Sequence, residues 1–279
     1  MKRRILNIFY RILFYASTFG LLFITLGPII WLLLTSLKPE TAVFATPPQW
    51  IPKDVTLSNY AEAFKQYSVG RLFINSMGVS LSVVVLNVLI GTPAGYAFAR
   101  FRFKGDNAFF IVLLLVRMIP MISVLLPLFI MFSTLHLLDT WLALILVHTA
   151  AKLPVTIWLM RGFFREIPRE IEESAKIDGC SVLQTLRRVA FPLAAPGVGA
   201  AAIMAFIFTW NDLLTATILT STMASRPMTV GLMNFIMQFR IAWGPMTAAG
   251  TLMLIPAVVF CLWAERYLIR GLTFGAVKG

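Results

Sequence analysis

Long apolar segments constrain the fold of this chain more than any other feature of its sequence. Of its 279 residues, 59% are hydrophobic and only 13% are charged, whereas about a quarter of the residues in an average soluble protein are charged. A helix of roughly 20 mainly apolar residues crosses the core of a bilayer, and the alternating pattern of a membrane β-barrel is not seen. The sequence therefore predicts an all-α integral membrane protein with six transmembrane helices. Their approximate ranges are 12–37, 72–99, 108–133, 141–160, 198–220 and 245–268.

The distribution of basic residues predicts the orientation of these helices. The net charge is +12, and most Lys and Arg residues lie in the segments on the side of the two termini. Because an excess of basic residues marks cytoplasmic loops, both termini are predicted to be cytoplasmic, and the charge needs no nucleic-acid partner. The basic start, Lys2 to Arg11, resembles a signal peptide, but the apolar stretch 12–37 is too long for one. It is predicted to be an uncleaved helix.

Two segments on the opposite side are longer than simple turns. The first, about Lys38 to Arg71, contains Pro47, Pro48 and Pro52, which prevent a regular helix there, and a short helix is predicted from Ser58. The second, about Ser221 to Gly244, is a candidate contact surface. These boundaries divide the chain into an N-terminal helix with its outer segment, 1–71, and a five-helix core, 72–279.

One cytoplasmic loop, about 165–197, is unusually rich in charged residues. Pro168 is suited to the first turn of a helix, where its missing N–H costs nothing, and Gly179 is suited to end that helix. Ser181 and Gln184 have the spacing of a capping box, which begins a second short helix. The loop is therefore predicted to be a helix, a glycine turn and another helix.

The first of these two helices is predicted to be amphipathic. Ile171 and Ala175 share one face at a spacing of four residues, whereas Glu172, Glu173 and Lys176 lie on other faces. Helices this short are not stable alone in water, so the pair needs a partner surface. The alternative is a solvated loop that merely connects two transmembrane helices.

Three ionisable residues fall inside predicted transmembrane helices, where charges are costly and are usually functional. They are Arg117, Lys152 and Asp212. In one interpretation, Trp210, Asn211 and Asp212 line a solute pathway together with Arg117. In the other, Asp212 forms a buried ion pair with Arg117 or Lys152 that stabilises the helix bundle.

The chain lacks the sequence motifs of an enzyme or a metal site. It contains no phosphate-binding loop of the pattern G-x-x-x-x-G-K-[ST] and no HExxH or G-x-S-x-G motif. Cys180 and Cys261 are expected to be free thiols, and neither His136 nor His148 belongs to a partner motif. We therefore expect no catalytic residue, no metal site and no cofactor in this chain.

The charged loop also carries a family resemblance. "EESAKIDG" followed by "FPLAAPG" resembles the EAA loop of permease subunits of bacterial ABC importers. The matching residues are Glu173, Ala175, Asp178, Gly179, Pro192 and Pro196, while Ser174 and Cys180 depart from the pattern. "TLSNYAEAF", "FIFTWNDLL" and the terminal "GLTFGAVKG" are similar to the carbohydrate-uptake branch of this family, in particular to the second membrane subunit of the maltose transporter.

This resemblance implies a type I ABC importer permease fold and a coupling role for the loop. The implied ATPase-coupling residues are Ile171, Glu173, Ala175, Ile177, Asp178 and Gly179. Glu173 would make a polar contact with the ATPase, the three apolar side chains would fill its groove, and the tail, 269–279, would reach the ATPase dimer interface.

The resemblance also implies the partners and the transported solute. A second homologous permease, two ATP-binding subunits, an extracytoplasmic solute-binding protein and membrane lipid would surround the chain in the bacterial inner membrane. ATP and Mg would bind the partner ATPase, and the solute would be a sugar. Arg117 and Lys152 would also suit an anionic sugar derivative or a glycerol phosphate. A stand-alone secondary carrier is a further alternative.

Overall fold

The computed structural model describes residues 2–237 and 241–276, without the side chains of residues 2–6, 8 and 264–276. The side chains of the predicted ATPase-contacting tail, 269–279, and all of Lys278 lie outside the described residues, as do Gln238 and Arg240. In chain order the α-helices are α1 (Lys2–Ser36), α2 (Glu40–Val43), α3 (Ser58–Lys65), α4 (Val69–Arg100), α5 (Asp106–Leu115), α6 (Met121–Thr134), α7 (Trp141–Glu166), α8 (Arg169–Ile177), α9 (Val182–Thr185), α10 (Phe191–Leu193), α11 (Ala195–Trp210), α12 (Leu214–Leu219), α13 (Met228–Gly231) and α14 (Trp243–Ala276).

Four helices of the described chain are long and apolar enough to cross a membrane. They are Phe9–Ser36 within α1, α4, α7 and Trp243–Trp263 within α14. Two further pairs of helices reach this length only together, because α5 and α6 meet at a bend of 93° and α9–α10 meets α11 at 79°. The number of candidate spans is therefore four, or six if each bent pair is one span. The all-α fold class is confirmed.

The predicted spans 108–133 and 198–220 are not continuous helices. The third breaks at Ile119, whose backbone is extended (φ −68°, ψ 122°), because the residue before a proline, here Pro120, is sterically driven out of the helical region. The fifth ends at Trp210, and α12 begins only at Leu214. Both breaks lie beside the intramembrane polar residues that the sequence singled out.

The chain forms two compact units, which are described separately. Residues 1–69 and 232–254 form the first, and residues 70–231 and 255–279 form the second.

In the first unit the predicted helix from Ser58 is confirmed as α3. The buried carboxamide of Asn59 donates hydrogen bonds to the backbone oxygens of Ser36 and Lys38, at 2.8 and 2.7 Å. Asn59 thus satisfies carbonyl groups that the end of α1 leaves without helical partners.

Close packing of α4 against α7 organises the second unit. A Cβ atom on Gly95 would lie 2.6 Å from the Cβ of Met160 and 3.0 Å from the backbone nitrogen of Arg161, and one on Gly91 would lie 2.4 Å from Thr156 Cγ2. Small residues at such positions let transmembrane helices approach closely. The same two helices carry the polar groups of the candidate sites described below.

Candidate functional site

The charged loop contains the predicted helix, glycine turn and helix. Pro168 is the N-cap residue of α8 rather than part of its first turn. Gly179 has φ +87°, its N–H donates to Lys176 O, and the N–H of Cys180 donates to Ala175 O, both at 3.0 Å. This is the Schellman motif that ends many helices at a glycine. The predicted role of Gly179 as a helix stop is confirmed.

The second helix of the loop begins with the predicted capping box. The backbone N–H of Ser181 donates to Gln184 Oε1 at 2.8 Å, and the backbone N–H of Gln184 donates to Ser181 Oγ at 3.4 Å. After one α-helical turn, α9, the chain continues through a π-helical turn, Leu186–Ala190. The corner between α8 and α9 therefore has a defined shape, set by local hydrogen bonds on both sides of Gly179.

Most of the residues implied for ATPase coupling are exposed in this chain. Glu173, Asp178 and Gly179 are exposed, Ile171 is 42% exposed, and Ile177 is 87% exposed. The second short helix adds Leu183, 72% exposed, and Val182, 47% exposed. Neither of these two is among the residues that the resemblance implies for coupling. Exposed aliphatic side chains on both helices give the loop an apolar surface that a partner could cover.

Ala175 does not fit the expected coupling surface. It is only 8% exposed, so it cannot fill a groove on another protein. The spacing argument placed Ile171 and Ala175 on one face, but the buried face of α8 is instead formed by Glu172 and Ala175, three residues apart. The helix therefore buries a carboxylate that the pattern placed on a different face from Ala175.

Glu172 is buried because it is paired with residues of α4. Arg100 Nη2 lies 2.7 Å from Glu172 Oε1, and Arg100 Nε donates to the same oxygen at 2.8 Å. The hydroxyl of Tyr96 donates to Glu172 Oε2 at 2.7 Å. Arg100 Nη2 also donates to the backbone oxygen of Ile167 at 2.9 Å. We call these three side chains, Tyr96, Arg100 and Glu172, the α4–α8 joint. Sequence reasoning missed it.

A second group of polar residues lies on α7 and at the break between α11 and α12. Lys152 Nζ is 3.3 Å from His148 Nδ1, and His148 Nε2 is 3.7 Å from Asp212 Oδ2. If Lys152 is a protonated ammonium group, it can only donate, so Nδ1 of His148 would accept and its Nε2 would carry the proton that faces Asp212. Sequence reasoning assigned His148 to no motif and did not place it beside Lys152 and Asp212. Its spacing of four residues from Lys152 on a helix is the signal that could have found it.

The Asp212 carboxylate also stabilises the local backbone. It accepts hydrogen bonds from the backbone N–H of Ala216 at 3.2 Å and from the hydroxyl of Thr215 at 3.1 Å. The first of these bonds satisfies one of the N–H groups at the start of α12 that have no partner within the helix. The hydroxyl of Thr229 donates to the Asp212 backbone oxygen at 2.7 Å. Of the two interpretations, this geometry favours a structural ion contact. Asp212 contacts His148, which in turn contacts Lys152, and this arrangement replaces the direct ion pair with Arg117 or Lys152 that the sequence suggested.

The other expected pathway residues differ in their accessibility. Trp210 is 1% exposed, stacked on Phe206 with centroids 5.4 Å apart and edge-on to Phe73 at 5.7 Å. The expectation that Trp210 offers its face to a solute is therefore not met in this conformation. Asn211 and Arg117 are exposed. Arg117 and Lys152 line one narrow groove between α7 and α11.

The expected contact surface, Ser221 to Gly244, begins with a loop held by Asp139. Its carboxylate accepts the backbone N–H groups of Ser221 and Thr222, at 2.9 and 3.0 Å, and the hydroxyls of Thr222 and Ser225. The carboxamide of Asn75 donates to Met223 O and Arg226 O at 3.0 and 2.8 Å. Residues 221–224 are exposed, so this loop presents a preformed surface.

The same hydrogen bonds set the protonation of Asp139. Burial alone would raise the pKa of this carboxyl, but the hydrogen bonds from Ser225, Thr222 and Ser221 outweigh it and hold the pKa well below its ordinary value. The ionised carboxylate of Asp139 accepts these hydrogen bonds, so they stabilise the folded chain at pH values above the ordinary carboxyl pKa of about 3.9. That stabilisation is lost as the pH falls below this value.

We expect Asp139→Asn to lower the free energy of unfolding by about 1–3 kcal/mol at pH 7, because an amide cannot accept all of these bonds. The difference from the wild type should shrink below about pH 4, where the wild-type carboxyl loses its advantage. Thermal unfolding of the purified protein in nanodiscs, followed by tryptophan fluorescence across this pH range, measures both effects. Asp54→Asn, at an exposed position, is the matched control. Equal melting temperatures for Asp139→Asn and the wild type at pH 7 would contradict the prediction.

Comparison with known proteins places these features in a family. The trehalose transport system permease protein SugB of Mycobacterium tuberculosis is 41% identical over 254 residues, which cover 90% of this chain and 92% of SugB. The sulfoquinovosyl glycerol transport system permease protein SmoH of Agrobacterium fabrum is 36% identical, with 91% of this chain and 89% of SmoH covered.

A solved structure has the same fold. A chain of a bacterial ABC transporter involved in the import of the acidic polysaccharide alginate superimposes with a TM-score of 0.82 at 23% identity, covering 94% of this chain and 97% of its own. The model of the family described as the inner membrane component of binding-protein-dependent transport systems matches residues 88–274. This match includes the charged loop, both helix breaks and the polar groups of α7. The chain is a member of this family of multi-pass membrane permeases.

Proposed function

We propose that this chain is one of two homologous permease subunits of an ATP-driven sugar importer in the bacterial inner membrane. Two ATP-binding subunits would bind ATP and Mg on the cytoplasmic side, where both termini of this chain would lie. A solute-binding protein would deliver the sugar from the other side. The chain itself would form half of the pathway and would hydrolyse nothing.

The exposed surface of the charged loop is the observation that carries this proposal. Its backbone is fixed by the Gly179 turn and the capping box, and its buried face is attached to α4, yet Glu173, Ile177 and Leu183 remain exposed. A solvated connection would need neither the apolar exposure nor the attachment. This combination suits a helix that docks on a partner and transmits the partner's movement to the membrane helices.

Transport would then proceed by alternating access. Closure of the two ATPases on ATP would move the docked loops toward each other and open the pathway outward. The loop held by Asp139 would meet the solute-binding protein as it releases its sugar. Hydrolysis would return the inward-facing state. Asn211 and Arg117, the exposed members of the expected pathway set, are the positions that we propose to contact solute.

Trehalose is the first sugar to test, because the trehalose permease SugB is 41% identical over 90% of this chain. We expect Glu173→Lys and Gly179→Pro to abolish trehalose uptake and ATPase co-purification while the chain still inserts. The reversed charge disrupts the docking contact, and proline cannot adopt the positive φ of residue 179. Uptake of radiolabelled trehalose by cells and pull-down of the ATPase from membranes measure these effects.

Glu170→Lys is the matched control, since Glu170 is exposed on the same helix and is not among the coupling residues. Normal uptake and normal ATPase recovery in both loop variants would refute the coupling role. Uptake that persists after deletion of the ATPase and collapses with an uncoupler would instead indicate a secondary carrier.

A second candidate substrate class rests on the charges beside α7. Arg117 and Lys152 line one groove, whereas Asp212 is already engaged by His148 and the start of α12. Two cationic side chains, Arg117 and Lys152, therefore have only the carboxylate of Asp212 near them among the described residues, and the remaining positive charge would suit an anionic sugar. If the substrate is anionic, a sulfonated or carboxylated sugar should compete with trehalose uptake or replace it, and Arg117→Gln should abolish that competition selectively. Competition by neutral disaccharides alone contradicts this class.

The two interpretations of Asp212 predict different behaviour of its variants. We expect Asp212→Asn to lower the free energy of unfolding by about 3 kcal/mol, because the partly buried Lys152 loses its neighbouring negative charge. Adding Lys152→Met should restore much of the loss. Thermal unfolding in nanodiscs measures this, with Asn211→Ala as the exposed neighbouring control. An unchanged melting temperature with a changed apparent affinity for trehalose would favour the pathway interpretation.

A further inference from the structure

The α4–α8 joint lies where the coupling loop meets a membrane-spanning helix. Glu172 belongs to the short helix α8, and Tyr96 and Arg100 belong to the last turns of α4, which is 32 residues long. The side chains of Arg100 and Glu172 are 8% and 4% exposed. An ion pair removed from water gains from close geometry only if further hydrogen bonds satisfy its remaining polar atoms. Here Tyr96 and the Ile167 carbonyl provide those bonds.

Arg100 contacts both sides of the elbow between α7 and α8. One contact is to Ile167 O, just before Pro168, and the other is to Glu172, inside α8. A chain that bends only at Pro168 would let α8 pivot without moving the transmembrane helices. Because one guanidinium holds both arms of the elbow, such a pivot must break buried charged hydrogen bonds, which are the strong ones.

We propose that the α4–α8 joint is the element that carries a displacement of the coupling helix into the transmembrane helices. Glu172 is a positioning residue in this role. It is buried and does not meet the ATPase, whereas its neighbour Glu173 is exposed for docking. From the end of α4 the displacement reaches α7 through the close contacts at Gly91 and Gly95. This inference rests on the proposed function, since it presumes that an ATPase moves the loop.

The test uses the complete complex of both permeases, the ATPases and the solute-binding protein in proteoliposomes, with radiolabelled trehalose as the probe sugar. ATP hydrolysis and trehalose accumulation are measured on the same preparation. We expect Glu172→Gln, which keeps the shape of the side chain and leaves Arg100 charged and unpaired, to lower trehalose transported per ATP by about tenfold or more. ATPase assembly should remain. Glu170→Gln, the same change at an exposed position of α8, should match the wild type.

A second variant separates transmission from stability. Glu172→Leu combined with Arg100→Met removes both charges, and apolar replacement of a whole buried pair is often neutral for stability. We expect this double variant to regain the wild-type melting temperature and assembly but not the wild-type transport per ATP. Recovery of transport per ATP would overturn the proposal, because the joint would then contribute only to packing and not to the transmission of movement. A loss of hydrolysis and transport in equal proportion in Glu172→Gln would overturn it too.

A distance measurement tests the joint independently of the sugar. Spin labels at position 97 of α4 and position 176 of α8, with Cys180 and Cys261 replaced by serine, report the separation of the two helices. The wild-type distribution should stay unchanged between nucleotide-free and ATP-bound complexes, and in Glu172→Gln it should broaden or shift on ATP binding. If α8 moves relative to α4 in the wild type, the proposal fails. If the wild-type complex binds no ATPase, the proposed function fails instead. If it binds the ATPase but accumulates no trehalose, trehalose is excluded as the substrate, and the distance measurement still decides the role of the joint.

Discussion

Every backbone polar group inside a bilayer must find a partner within the protein, because hydrocarbon offers none. This constraint explains why the described chain is built from helices and why the break after α11 has a polar side chain beside it. At the break after α11, Asp212 supplies the missing hydrogen-bond acceptor. Its carboxylate accepts the N–H of Ala216 and contacts His148. The negative charge of Asp212 lies in turn beside His148 and Lys152 of α7. At this position the helix break and the intramembrane charge are therefore one feature rather than two.

The same logic of buried charge operates where α4 meets α8, with a different consequence. Glu172 and Arg100 are held in water-poor surroundings by a full set of hydrogen bonds, so α8 is attached to α4 by a directional contact. An apolar contact would allow sliding, whereas this one resists rotation. Adjacent positions of this short helix therefore differ in kind, because Glu173 is exposed and Glu172 forms the buried attachment.

Local patterns made much of the charged loop predictable. The glycine stop at Gly179 and the capping box of Ser181 and Gln184 depend on residues at most a few positions apart, and both form as expected. The face of α8 was predicted incorrectly, because the spacing rule favoured Ile171 and Ala175 over the charged Glu172. Burial of a carboxylate depends on a partner, and that partner lies 72 residues away in the chain.

The sequence by itself determined the membrane class, the approximate spans, the turn at Gly179 and the family, since these follow from composition and from short-range or motif patterns. Tertiary structure alone decided that His148 joins Lys152 to Asp212, that Trp210 packs inward against Phe206, and that Arg100 meets Glu172. The physical reason is the same in each case. The free energy of a buried polar or aromatic group depends on which distant side chains surround it, and no local pattern records them.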